Sequence, residues 1–99
     1  MIIVTGTLHA RADALEEALA LSREHVARSR AEPGCLQHGV AIDVDDPNRL
    51  VFFERWADRA AIAAHLQLPA SRGFGKRVAA LVDQPPTLSL FDASELAQP

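Results

Sequence analysis

The sequence predicts an α+β protein of the ferredoxin-like class, with a four-stranded antiparallel sheet and helices packed on one face of it. Three observations predict this class. Segments with the two-residue period of strands and segments with the helical period follow one another in the order βαββ(αα)β. The two middle strands are separated only by a short polar turn, which predicts a hairpin between two helical connections. The 99 residues suffice for a single domain, residues 1–99, and no linker or repeat divides them.

The first half of the chain is expected to supply one strand and one helix. Residues 2–9 are rich in β-branched side chains and are predicted to form the first strand. A helix is expected to begin at Asp13, because residues 13–16 resemble a capping box, and to end before Pro33 and Gly34. Five residues at spacings of four, three, four and three mark its inward face: Leu15, Leu19, Ser22, Val26 and Ser29.

The remaining strands form the predicted hairpin and the sheet edge. These strands are predicted at residues 36–44, 49–56 and 87–91. The polar residues 45–48 are predicted to form the hairpin turn. In the second strand, alternate residues are expected to share one face of the sheet, namely Leu36, His38, Val40, Ile42 and Val44.

Two helical segments are predicted between the hairpin and the last strand. Asp58 is expected to cap the first of them, and Pro69 is expected to end it and open the next. The second segment is expected to end at Asp83. Residues 92–99 are expected to form a polar, flexible tail.

Charge and composition argue against several classes of protein. The net charge is −3 and the basic residues are scattered, which argues against binding to nucleic acid or to an anionic membrane surface. No apolar stretch approaches the roughly 20 residues needed to cross a bilayer. Cys35 is the only cysteine, so a reduced, cytoplasmic setting is expected. No two histidines stand four residues apart, and no metal site is predicted.

The third strand has apolar side chains on both of its faces. Leu50 and Phe52 point to one side of the sheet, and Val51 and Phe53 point to the other. Helices cover only one side in this fold class, which would leave an apolar patch exposed. We therefore expect a homodimer that forms through the open sheet face. The alternative is a monomer whose second face is only mildly apolar.

A candidate site lies where the third strand meets the next helix. Phe52, Glu54 and Trp56 are two residues apart and share one strand face. His65 lies in the following helix, beside Ile62, and is expected to point inward. A carboxylate that holds an imidazole in one tautomer makes a plausible acid–base pair, so Glu54 and His65 are the catalytic candidates. Trp56 and Phe52 could stack on a planar aromatic ligand.

Structural roles for these residues remain open from the sequence. His65 could be a hydrogen-bonded structural histidine, and Trp56 could simply belong to the core. Glu54 could form a structural ion pair with Arg72 or Arg49. His38 could be a satisfied core or interface histidine.

Four short motifs, in order along nearly the whole chain, resemble the antibiotic biosynthesis monooxygenase family. They are EPGCL at residues 32–36, FFERW at 52–56, AHL at 64–66 and Phe74, which are similar to the E-x-G-C-L, E-x-W, H-L and F pattern of that family. The resemblance is to its small quinol monooxygenase type. It implies a dimeric α+β barrel that oxidises a small quinol-like, phenolic or polyketide aromatic with O₂ and without a bound cofactor.

The resemblance also implies roles for individual residues. His65 and Glu54 would deprotonate the substrate and Arg72 would stabilise an oxyanion. The other substrate-binding candidates are Trp56, Phe52, His38, Leu68 and Phe74.

Two departures from the family pattern narrow the expectation. Haem-degrading relatives carry an asparagine in the first strand, where Gly6 stands here, and a histidine in the later helix, where residues 75–78 have none. Haem degradation is therefore not expected. The alternative function is a small-molecule-binding or isomerising protein on the same scaffold.

Overall fold

The computed structural model describes all 99 residues and confirms the ferredoxin-like α+β class. The elements are β1 (Ile2–His9), a 3₁₀ turn (Ala12–Ala14), α1 (Leu15–Ser29), β2 (Cys35–Asp43), β3 (Asp46–Trp56), α2 (Arg59–Gln67), α3 (Pro69–Ala79) and β4 (Thr87–Asp92). The sheet has the order β2-β3-β1-β4 and is antiparallel throughout. None of the helices has the length and the apolar run needed to cross a bilayer.

Alternation along the central strands decides which side chains enter the core. In β1 and β3 every second side chain faces the helices and is buried, while its neighbours point to the open face. The larger core cluster joins α1 and α3 to the sheet around Leu8, Leu50 and Phe52. A smaller cluster around Val4 and Trp56 lies under α2. No helix packs closely against β4, so Leu88 and Leu90 remain about half exposed, although their partners in β1 are buried.

Capping chemistry differs between the two expected helix starts. Asp58 caps α2 as predicted, because its Oδ1 accepts the Ala61 N–H at 2.8 Å. The capping box predicted at Asp13 does not form. Residues 12–14 form a 3₁₀ turn, the Asp13 carboxylate accepts from Arg11 Nε at 3.2 Å, and α1 begins at Leu15 without a side-chain cap.

The hairpin turn is tighter than the polar run suggested. It consists of Val44 and Asp45, and β3 begins at Asp46, three residues before the expected start. The β2 register shifts near both of its ends, so only the middle of the strand keeps strict alternation. Leu36 and Val44 therefore leave the common face, and Val44 is 97% exposed.

The expected tail is shorter than predicted. β4 continues through Asp92, whose carboxylate forms an ion pair with Arg59. Ala93 then exchanges two backbone hydrogen bonds with Met1, which attach the end of β4 to the start of β1. Residues 94–99 contain neither helix nor strand.

Candidate functional site

A cavity of about 250 Å³ opens between α3 and the part of the sheet that no helix covers. Leu8, Phe52 and Leu88 line it from three strands, and Phe74 and Val78 line it from α3. Its polar wall is made of a few side chains, chiefly His25, Glu54 and His65. An apolar cleft with a small number of convergent polar groups is the common form of a small-molecule site.

Gly6 shapes the floor of this cavity. A Cβ at this position would lie 3.0 Å from the Thr87 carbonyl oxygen of the neighbouring strand. A larger side chain would therefore crowd the β1–β4 pairing and intrude on the cavity.

Three histidines from three different elements meet at the polar wall. His25 comes from α1, His38 from β2 and His65 from α2, and all three are buried. Their ring centroids are 5.3, 5.2 and 5.6 Å apart, which makes a nearly equilateral triangle. The fold thus concentrates imidazoles that are distant in sequence.

His65 is held in one orientation by Glu32. Its Nδ1 lies 2.8 Å from Glu32 Oε1, and a carboxylate can only accept, so Nδ1 carries the shared proton. Glu32 lies in the connection between α1 and β2, where Gly34 adopts φ of +80° and turns the chain. The arrangement leaves Nε2 of His65 as the nitrogen available to a ligand.

The buried carboxylate of Glu54 is stabilised by neighbouring polar side chains. Trp56 Nε1 donates to its Oε1 at 2.9 Å, and His38 Nε2 lies 3.2 Å from the same oxygen. Burial raises the pKa of the Glu54 carboxyl, but the adjacent His38, the Trp56 N–H and the charge of His65 outweigh burial and hold the pKa below its usual range. Glu54 is therefore a fixed negative charge next to the histidines.

His25 and His38 have contrasting surroundings. Burial, followed by the nearby His38 and His65, lowers the pKa of His25 to about 4. Its ring stacks on Phe74 with centroids 4.1 Å apart. The His38 ring is not directed at Glu54 well enough for a hydrogen bond, so both of its buried nitrogens lack a hydrogen-bonding partner. His38 is buried, as a core or interface histidine would be, but neither ring nitrogen has a hydrogen-bonding partner within the chain.

The structure brings four of the eight predicted site residues to the cavity wall: His65, Glu54, Phe52 and Phe74. Trp56 and His38 are fully buried behind that wall, and Leu68 and Arg72 lie outside it. Trp56 belongs to the core, which is the structural role that the sequence had left open for it.

The predicted pairing of Glu54 with His65 is wrong. The α1–β2 connection places Glu32, not Glu54, against the His65 ring. Glu54 instead contacts Trp56 and His38, so the ion pair with Arg72 or Arg49 does not form either. Arg49 Nε instead lies 3.8 Å from Asp43 Oδ2.

Two residues of the site were missed in the sequence, Glu32 and His25. Glu32 is the first residue of the EPGCL motif, but the motif indicated only the family and gave Glu32 no role in the site. His25 lies three residues after Ser22 and four before Ser29, so it belongs to the buried helical face. The inward face of α1 is centred on Ala18, Leu21 and His25, to one side of the predicted stripe.

A second cavity of about 320 Å³ lies between α2 and β4. Ile2, Ile62 and Leu90 line it, and the Arg59–Asp92 ion pair lies at its edge. It contains no histidine. Of these two cavities, only the smaller one is lined by histidines.

Comparison with known proteins assigns the family. A sequence model described as antibiotic biosynthesis monooxygenase matches residues 1–77. The chain is 33% identical over 94 residues to the uncharacterized protein sll1783 of Synechocystis, a match that covers 95% of this chain. The chain spans only 64% of the length of that relative.

Two further comparisons agree over the full length. YcnE of Bacillus subtilis, which carries a provisional monooxygenase name, is 28% identical over 95 residues, covering 96% of this chain and 100% of YcnE. A crystal structure of an antibiotic biosynthesis monooxygenase superposes with a TM-score of 0.88 at 33% identity, covering 96% of this chain and 100% of that one. This chain therefore belongs to the antibiotic biosynthesis monooxygenase family.

Proposed function

We propose that the protein is a monooxygenase that oxidises a small quinol-like or phenolic aromatic with O₂. One observation carries the proposal: His65, oriented by a carboxylate on Nδ1, lies on the wall of an otherwise apolar cavity. Membership of the monooxygenase family supports it.

The cavity suits a ligand with one or two aromatic rings. A dry cavity of roughly 150 Å³ holds one benzene molecule, and this cavity measures about 250 Å³. The rings of Phe52 and Phe74 stand 6.2 Å apart at an interplanar angle of 65° and offer an edge and a face to such a ligand.

Proton abstraction is the step that we assign to His65. With Nδ1–H directed at Glu32, Nε2 of His65 can accept the phenolic proton. Glu54 does not touch His65 by a hydrogen bond, but its fixed negative charge stabilises the imidazolium that forms. Its proposed role is thus electrostatic.

The oxidation balances without an external reductant. The substrate anion supplies two electrons to O₂, and one oxygen atom forms a bond to a ring carbon as a hydroperoxide. Loss of water from this intermediate cleaves the O–O bond and leaves a quinone carbonyl. The imidazolium of His65 supplies the proton of the hydroperoxide, and the ring C–H gives up the second proton of the water as the O–O bond breaks. The chain's tasks are to bind the ring, hold the proton and exclude bulk water.

We further propose that the protein functions as a homodimer through the open sheet face. Val51, Phe53 and Phe91 form a partly exposed apolar group on that face, between 37% and 52% exposed. Burying them against the same residues of a second copy removes this surface from water.

Oxygen uptake by the purified protein tests the proposed activity. A panel of dihydroxy-aromatics is supplied to the wild type, to His65→Gln and to His9→Gln, with a chelator present throughout. We expect uptake by the wild type and His9→Gln, and a loss of roughly 100-fold or more in His65→Gln. Labelled O₂ should leave one atom in the product and one in water.

Two outcomes contradict the proposal. Equal uptake by His65→Gln and the wild type removes His65 from the reaction. Saturable ligand binding by the wild type without any uptake favours the alternative of a binding or isomerising protein.

A further inference from the structure

The three buried histidines have the layout of a metal-ligand set. One ring nitrogen of each of His25, His38 and His65 lies within 4.8 Å of those of the other two. Imidazole nitrogens are the commonest protein ligands of divalent transition metals, and three of them on one ion leave a coordination position open. These side chains come from three elements, so the whole fold is needed to assemble them.

His38 supplies an independent indication of a ligand. Its side chain has no solvent exposure, and neither of its ring nitrogens has a hydrogen-bonding partner. Buried polar groups in folded proteins almost always have a partner. Donation of its lone pair to a metal ion would satisfy a nitrogen that the chain itself leaves without a partner.

The carboxylates around the triangle complete the pattern. A histidine that ligates a metal usually donates its other ring N–H to a carboxylate, as His65 Nδ1 does to Glu32. Glu54 lies next to His38, so the carboxylates of Glu32 and Glu54 can together balance the charge of a divalent cation. We propose that His25, His38 and His65 form a three-histidine site for a divalent transition metal, with Zn²⁺ as the probe.

Small ring movements are enough to close the site. Ligands at zinc distances stand about 3.4 Å from one another in a tetrahedron, and the ring nitrogens here lie within 4.8 Å. Glu32 fixes His65 and Phe74 stacks on His25, whereas His38 has no hydrogen bond to give up when its ring turns.

Access and chemistry link this site to the cavity. His25 and His65 line the cavity, so an ion can enter through it, and the open position would face a bound ligand. Ligation would use Nε2 of His65, the nitrogen proposed above to take a proton. Metal occupancy would therefore inhibit the base-catalysed oxidation. The binding itself does not depend on the proposed oxidation.

Zinc titration of chelator-stripped protein tests the site. Calorimetry should show one Zn²⁺ per chain with micromolar or tighter affinity. His25→Gln, His38→Gln and His65→Gln should each weaken binding at least 10-fold, and Glu32→Gln should weaken it by about 10- to 100-fold. His9→Gln is the matched control, because it removes a histidine outside the triangle, and should bind zinc like the wild type.

A spectroscopic measurement on the wild type guards against variants that fail to fold. Co²⁺ in place of Zn²⁺ should give the intense visible bands of a low-coordinate nitrogen site, and one equivalent of Zn²⁺ should abolish them. No zinc binding at micromolar concentration, binding that survives all three cluster substitutions, or binding that is lost in His9→Gln would each overturn the proposal. Binding is measured without substrate, so a failed oxidation assay does not affect it, and oxidation in chelator does not depend on zinc.

Discussion

Trp56 shows how one hydrogen bond keeps a carboxylate charged inside a core. Its indole is fully buried and donates to Glu54 Oε1 at 2.9 Å. Hydrogen bonds to charged groups in a low-dielectric interior are among the stronger ones, because water cannot replace them. The Trp56 side chain thus acts on the site from behind the cavity wall, without touching a ligand.

Replacing Trp56 with phenylalanine should therefore be costly. Trp56→Phe removes the donor and some volume, and we expect the free energy of unfolding to fall by about 3 kcal/mol. Urea denaturation measures this loss. In a Glu54→Gln background, which removes the charge, the same substitution should cost about 1–2 kcal/mol less. An equal cost in both backgrounds would show that volume, not the charged hydrogen bond, is responsible.

At the scale of elements, the connection from α1 to β2 depends on one glycine. Gly34 has φ of +80°, and a Cβ there would lie 2.5 Å from the Ala61 Cβ on α2. Gly34→Ala should lower the free energy of unfolding by about 2–4 kcal/mol, through backbone strain and overpacking. Gly73→Ala, in α3 with open space around it, should instead stabilise by up to about 1 kcal/mol. Thermal or urea unfolding of both variants checks the pair, and a neutral Gly34→Ala would contradict the argument.

Element types followed from the sequence because they depend on local chemistry. Asp58 and Pro69 stand at helix starts where a cap and a fixed φ suffice, and both expectations are confirmed. The start at Asp13 and the turn at residues 45–48 could not be settled in this way. A 3₁₀ turn forms at residues 12–14 in place of the cap at Asp13, and pairing with β2 extends β3 back to Asp46.

At the scale of the molecule, the site depends on contacts between distant parts of the chain. Period-two alternation was enough to put Glu54 and Phe52 on the inner face, and the helical pattern was enough to turn His65 inward. Their partners could not be predicted from spacing. Glu32 is 33 residues before His65 and reaches it only because the α1–β2 connection folds under α2. The histidine triangle likewise exists only in the folded chain.

His9 links three segments in a way that depends on pH. Its Nδ1 contacts Asp83 at 2.6 Å, and its Nε2 contacts Asp46 at 2.8 Å, which ties β1 to the hairpin and to the α3–β4 connection. The hydrogen bond with Asp83 raises the pKa of His9 above 6.5, despite some burial. The Asn48 N–H and His9 hold the pKa of Asp46 below 3.8.

The stabilisation by His9 should therefore peak in weakly acidic solution. It is fully present below pH 6.5 and is lost as the pH rises through the raised pKa of His9. The part of the stabilisation that is due to Asp46 is present above pH 3.8. It is lost as the pH falls through the lowered pKa of Asp46. The melting temperature of the wild type should exceed that of His9→Gln most at about pH 5–6, with the difference shrinking toward about pH 9. A difference that grows with pH would contradict the ionic link.

The proposed dimer places the same apolar group at the centre of two identical surfaces. Phe53 lies in the middle of the open face, paired across strands with Thr5 and Gly39, and is 40% exposed. In a two-fold interface each substitution occurs twice, so Phe53→Lys places two desolvated charges near each other. We expect the wild type to sediment as a dimer at micromolar concentration and Phe53→Lys as a monomer. Val44→Lys is the matched control, because Val44 is 97% exposed at the hairpin turn, and this variant should remain dimeric. A monomeric wild type, or a dimeric Phe53→Lys, would place the interface elsewhere or remove it.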